Sequence, residues 1–232
     1  MCKKAFFSSH PSVFPIRRKS AGKKQELHFD DFFGVMAGLG FEEALIHRID
    51  RKCNTANGHM QHVAEYTRVI CSIMGYDPEQ THRISCAALL HDIGKLEIPE
   101  SILFDPGRLN EEAFAQIRFH SPLGSQILSQ WDGPVFQLAA EVALQHHERI
   151  DGSGYLGLRR EEISLPAKIV AVADVFDALT AERPYKQSWD FDTAFSYIQK
   201  NRDIHFDAKV VEKFVRNRAA IHQVYHAIHT GT

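Results

Sequence analysis

The chain has 232 residues, a formal net charge of -2 and four cysteines. That length suits one sizeable domain with a short appendage. The near-neutral charge excludes the overall basicity of a long-nucleic-acid binder, and no apolar run reaches the roughly 18 residues that a membrane-spanning helix needs. Cys2, Cys53, Cys71 and Cys86 form no CxxC pair. They read as reduced thiols, so a cytoplasmic location is expected. Phe6 and Phe7 stand near the start without the apolar core of a secretory signal.

Residues 1–50 are expected to form an N-terminal arm and short helices. The first 28 mix Ser, Pro, Gly and basic residues, the composition of a flexible arm; an alternative is a basic contact for an acidic partner. Phe29, Phe32, Phe33, Met36, Leu39, Leu45 and Ile49 suit one or two short docking helices. The main domain is expected over 51–232, and from about residue 56 its pattern is helical throughout. Val63, Tyr66, Thr67, Ile70 and Met74 recur at spacings of three and four. Pro78 suits the first position of the next helix, which runs apolar into His91. Asn110 caps a helix with Glu111 and Glu112 in its first turn. "PVFQLAAEVALQHHE" has one apolar face. "LPAKIVAVADVFDALTAE" is apolar nearly all round and is expected at the centre. "DFDTAFSYIQKN" and "FDAKVVEKFVRNRAAIHQVYHAI" complete an all-α class with almost no β-alternation.

The unusual feature is 14 histidines, since imidazole is the commonest metal-ligand side chain. His59, His91, Asp92, His120, His146, His147 and Asp174 each stand at a helix end or on a helix face, flanked by apolar positions. Asp92 follows Ala87, Ala88, Leu89, Leu90 and His91, and Asp174 lies inside "IVAVADVFDAL". Burying either carboxylate unpaired is costly, and a divalent cation supplies the missing charge. Five imidazoles and two carboxylates exceed the ligand needs of one ion. With Asp92 bridging, His59, His91 and Asp174 would hold one ion, and His120, His146 and His147 the other. A nitrogen-rich six-coordinate site favours iron or manganese over zinc. Two divalent ions against two carboxylates and a shared hydroxide leave one net positive charge, which complements a phosphodiester. The chemistry expected is phosphate-ester hydrolysis by in-line displacement. His62 is read as a non-ligand, and His222, His226 and His229 as a surface stripe.

These residues resemble the HD-GYP family, a branch of the HD-domain metal-dependent phosphohydrolases. The resemblance covers about residues 55–218. It rests on "HDIGK" at 91–95, "HSPLG" at 120–124, "HHERIDGSGYLG" at 146–157, "ADVFDALTAERPYK" at 173–186 and "FDAKVVEKF" at 206–214. It implies an HD-domain-like helical bundle with a centre of two or three metals, often iron, and hydrolysis of cyclic di-GMP to pGpG, GMP or both. It carries over the same seven ligands, with Asp92 and Lys95 as the catalytic pair. Lys95, Arg183 and Lys186 would meet phosphate, Arg as a planar fork and Lys as a point charge. Gly152 and Gly154 would let the loop turn and approach a flat ligand. Tyr155 would stack on guanine or hydrogen-bond a phosphate. Asp151 would tie the loop through local backbone hydrogen bonds, and Glu148 would support the ligands by holding an imidazole.

Two positions depart from the family pattern. Leu156 stands where the family's Gly-Tyr-Pro has proline, which removes a fixed φ and puts in doubt a contact with diguanylate-cyclase-type partners. Thr55 stands where trimetal members carry glutamate, so a dinuclear site is expected. The alternatives are a cyclic-dinucleotide or partner-binding signalling module without turnover, and hydrolysis of another cyclic dinucleotide.

Overall fold

The computed structural model describes residues 58–103, 110–182 and 187–230. The expected N-terminal arm with its short helices, and Thr55, Arg183 and Lys186, lie outside the described residues. The helices are α1 (His59–Met74), α2 (Pro78–Leu89), the short α3 (Glu100–Leu103), α4 (Glu111–Arg118), α5 (His120–Leu128), α6 (Pro134–Gln145), α7 (Leu165–Thr180), α8 (Phe191–Lys200), α9 (Ala208–Arg216) and α10 (Arg218–Thr230), with a 3-10 turn over Ile93–Glu97. Among the described residues the β-structure amounts to an isolated bridge between Arg202 and Phe206. The all-α expectation holds.

Local chemistry explains most helix ends. Asp77 and Gln80 form a reciprocal capping box with Pro78 in the first turn of α2. Asn110 accepts the Ala113 N–H at 2.8 Å, and Asp190 accepts that of Thr193 at 2.8 Å; such caps stabilise a helix by about 1 kcal/mol each. The C-terminal pattern, read as one run, breaks at Asn217 into α9 and α10. Asn217 closes α9 with φ -112° and ψ 34°.

α7 lies at the centre, as its all-round apolarity predicts, with eleven of its residues buried. Phe176 meets Tyr66 at 5.1 Å, Phe214 at 5.4 Å and Phe191 at 5.7 Å between ring centroids, all near edge-to-face. α1 packs on α2 and α7, and α6 on α2, α5 and α7. That arrangement brings α1, the end of α2, the start of α5, the end of α6 and the middle of α7 around one point. No helix among the described residues is long and apolar enough to cross a membrane.

Candidate metal centre

Seven side chains, from three helices and from the two turns that follow α2 and α6, converge inside this bundle. His59 opens α1, His91 and Asp92 follow α2, His120 opens α5, His146 and His147 follow α6, and Asp174 lies on α7. Donor atoms of Asp92, His120, His146 and His147 all lie within 4.8 Å of one another, and those of His59, His91 and Asp174 do likewise. Asp92 faces both sets. Its Oδ2 lies 3.4 Å from His91 Nε2, and its Oδ1 lies 3.3 Å from His120 Nε2 and 3.8 Å from His146 Nε2. Asp174 Oδ1 lies 3.3 Å from His59 Nε2 and 3.9 Å from His91 Nε2.

One glycine permits this approach. A Cβ on Gly94 would lie 1.9 Å from the His120 carbonyl oxygen and 2.5 Å from the Gly124 nitrogen. The turn after Asp92 therefore packs backbone to backbone on the start of α5. Any side chain there would push the two donor sets apart.

Hydrogen bonds fix which nitrogen faces inward. A carbonyl only accepts, so a ring nitrogen bonded to it carries the proton. His91 Nδ1 donates to Ala88 O at 2.6 Å, His120 Nδ1 to Ile117 O at 2.7 Å, and His146 Nδ1 to Ala143 O at 3.0 Å. Their Nε2 lone pairs then point into the cluster. His120 Nε2 and His146 Nε2 face each other at 3.3 Å, two lone pairs opposed. His91 Nε2 and Asp92 Oδ1 are buried with no hydrogen-bond partner. Opposed lone pairs and orphaned buried acceptors are unfavourable alone and suit a cation between them. The donor set therefore fits divalent metal.

The two sets hold protons differently. Burial disfavours charge on His59, but hydrogen bonds to Asp174 and Asp177 outweigh it and push its pKa up to about 10. Burial pulls His120 down to about 4 and His147 down to about 3, and it holds His146 well below the usual histidine value. Burial works to raise Asp92, yet Lys95, His91 and His120 keep its carboxyl well below the usual range. Asp174 is lowered against the same burial by its hydrogen bond to His59 and by His91. Lys95 Nζ donates to Asp92 Oδ2 from a partly exposed position.

Asp177, not among the seven expected donors, also stands in the site. It is fully buried one helical turn beyond Asp174, with Oδ2 2.6 Å from His59 Nδ1 and Oδ1 3.1 Å from His62 Nδ1. The signal was present: a second buried acid in the apolar α7 needs a partner as much as the first. His62 lies outside both donor sets and faces Asp177. His222, His226 and His229 are exposed on α10.

The glycine-rich loop differs from expectation in two contacts. Glu148 accepts the Leu156 N–H at 2.7 Å and the Leu158 N–H at 2.8 Å, so its oxygens hold loop amides rather than an imidazole. The Leu156 donor is one that proline would lack. A Cβ on Gly154 would lie 2.6 Å from Glu148 Cα and 2.8 Å from Arg149 N, so the loop backbone packs closely on Glu148 at that glycine. Asp151 accepts from the Ser153 N–H at 2.9 Å and the Ser153 hydroxyl at 2.6 Å, a local tie across the turn. Tyr155 rests on His147, with ring centroids 4.5 Å apart.

The family model described as HD domain matches residues 43–210. The chain belongs to the HD domain family. This HD domain is 43% identical over 166 residues to "Cyclic di-GMP phosphodiesterase response regulator RpfG" of Xanthomonas campestris, a match covering 71% of the chain and 43% of that protein. It is 42% identical over 168 residues to a "Cyclic di-GMP phosphodiesterase" of Thermotoga maritima, covering 72% and 46%. The chain thus spans less than half the length of these two relatives. A solved structure of a cyclic GMP-AMP specific phosphodiesterase from V. cholerae shares the fold, with a TM-score of 0.59 and 15% identity over 79% of this chain and 50% of that one.

Proposed function

We propose that this HD domain is a metal-dependent phosphodiesterase that hydrolyses cyclic di-GMP to pGpG, GMP or both. The observation that carries the reading is the Asp92 carboxylate, whose two oxygens face two separate donor sets. The two relatives named for cyclic di-GMP hydrolysis support the substrate. His59, His91 and Asp174 would hold one divalent ion, His120, His146 and His147 the other, and Asp92 would bridge them. Iron is the first choice and manganese the second, from the nitrogen-rich donors. When bound, such a pair supplies Lewis acidity toward phosphate oxygen and toward water.

The chain's own groups complete the chemistry. Lys95, held by Asp92 at the partly exposed edge of the cluster, meets phosphate charge and stabilises the departing oxygen. Arg183 and Lys186 are assigned to phosphate from their motif, with Gly154 and Tyr155 bordering the substrate. Glu148 and Asp151 shape the loop that carries them. Diguanylate-cyclase-type partners and a cytoplasmic location belong to this same reading.

The test is full-length protein loaded anaerobically with Fe(II) or Mn(II), given cyclic di-GMP or cyclic GMP-AMP, with products separated by chromatography. Linear pGpG or GMP is expected, together with two ions per chain. Asp92→Ala should lose both ions and more than roughly a hundredfold in rate, beyond the 10- to 100-fold typical of removing an outer partner. Tight binding of cyclic di-GMP with zero turnover would replace the enzyme by a binding module. Turnover of cyclic GMP-AMP alone would move the substrate.

A further inference from the structure

Four of the five clustered imidazoles are oriented by a hydrogen bond at Nδ1: His59 to Asp177, and His91, His120 and His146 to backbone carbonyls. His147 differs. Among the described residues no hydrogen bond reaches either of its nitrogens, and its ring is held by packing: 4.0 Å from His146, 4.5 Å from Tyr155 and 5.0 Å from His120 between centroids. Two of these neighbours belong to the donor cluster. The third, Tyr155, is a loop residue and needs support of its own.

Arg118, at the end of α4, supplies it. Its Nη2 donates to the carbonyl oxygens of Gly154, at 3.4 Å, and Tyr155. Its guanidinium carbon lies over the Tyr155 ring, 4.8 Å from the centroid. A planar guanidinium donates to backbone acceptors in its plane while its flat face packs on a ring, a geometry that the compact point charge of an ammonium does not reproduce. Arg118 therefore holds both the backbone and the side chain of the residue that backs His147.

We propose that Arg118 is a positioning residue for His147, acting through Tyr155 in place of the Nδ1 hydrogen bond that the other four imidazoles have. This rests on the reading of the cluster as a metal centre, and it gives Tyr155 a supporting role on the metal side. Charge alone predicts the opposite of positioning. Deleting a cation near a cation site would tighten metal binding, whereas deleting a support for a ligand loosens it.

The experiment is calorimetric titration of metal-free full-length protein with Mn(II) alone. Wild type is expected to take up two ions. Arg118→Ala should weaken one of them by roughly tenfold, the lower end for loss of an outer partner, and leave the other unchanged. Arg118→Lys, which keeps the charge but not the plane, should weaken the same ion. Tyr155→Phe should match wild type and Tyr155→Ala should match Arg118→Ala. The double variant Arg118→Ala/Tyr155→Ala should be no weaker than Tyr155→Ala. Unchanged or tighter binding in Arg118→Ala overturns the proposal, as does full additivity in the double variant. Wild type that takes up no Mn(II) would instead remove the metal centre itself, a separate failure.

Discussion

The two halves of the centre present similar donor atoms and treat protons oppositely. In the half made by His59, His91 and Asp174, His59 stands between two carboxylates, Asp174 and Asp177, and holds its proton up to a pKa of about 10. In the half made by His120, His146 and His147, desolvation dominates, and the rings stay neutral down to about pH 4 or below. Without metal, a proton on His59 supplies the positive charge that the first half needs. The second half has no such substitute, and its lone pairs face one another. Ligand type alone therefore does not set the readiness of a site; the charge behind each ligand does.

The difference between the two halves depends most on Asp177. Asp177→Asn removes the carboxylate behind His59 while leaving an oxygen to accept from it. We expect metal affinity in the first half to fall roughly 10- to 100-fold, with the second half unaffected, measured by metal titration of the full chain. Equal weakening of both ions would show that the halves are not independent.

A second test uses pH. Below about 10 His59 carries a proton that an incoming ion must displace, so affinity in the first half should rise by about tenfold per pH unit through the neutral range. The second half has shed its protons above about pH 4 and should be flat from pH 6 to 8. Asp177→Asn should flatten the first slope as well, because it removes one of the two groups that hold the proton.

The smallest effect is on stability. His120, His146 and His147 have folded-state pKa values below that of an unfolded histidine, about 6.5. The unfolded chain then binds protons first as the pH falls. Metal-free protein should lose stability from about pH 6.5 down to about 4, by up to about 1.4 kcal/mol per unit for each ring. The depressed carboxylates Asp92 and Asp174 lose their contribution only at lower pH. Chemical denaturation at pH 7.5, 6 and 5 would read the trend. A flat profile would mean that these rings protonate in place.

The legible parts of the molecule were those with local causes. Pro78, Asn110 and the apolar faces announced α2, α4 and α7 because caps and periodicity act within a few residues. The donors could be picked out because a buried acid next to histidine has few inexpensive explanations. The same rule applies to Asp177, whose partner His59 lies on another helix. Glu148 is expected from the family resemblance to hold an imidazole; in the fold its oxygens turn toward Leu156 and Leu158. Arg118 carried no signal, since a basic residue in the last turn of a helix is ordinary.

The sequence by itself determined the helical class, the capped starts of several helices, the identity of the clustered nitrogen and oxygen donors and their expected division into two sets. Only the tertiary structure decided the distances within each set, which Asp92 oxygen turns to which set, and what stands behind each imidazole. The reason is distance along the chain: His59 and Asp177 are 118 residues apart yet their side chains meet at 2.6 Å. No periodic pattern encodes such a contact. It exists because α1 packs on α7, and that packing is set by the apolar faces of both helices rather than by the polar pair they bring together.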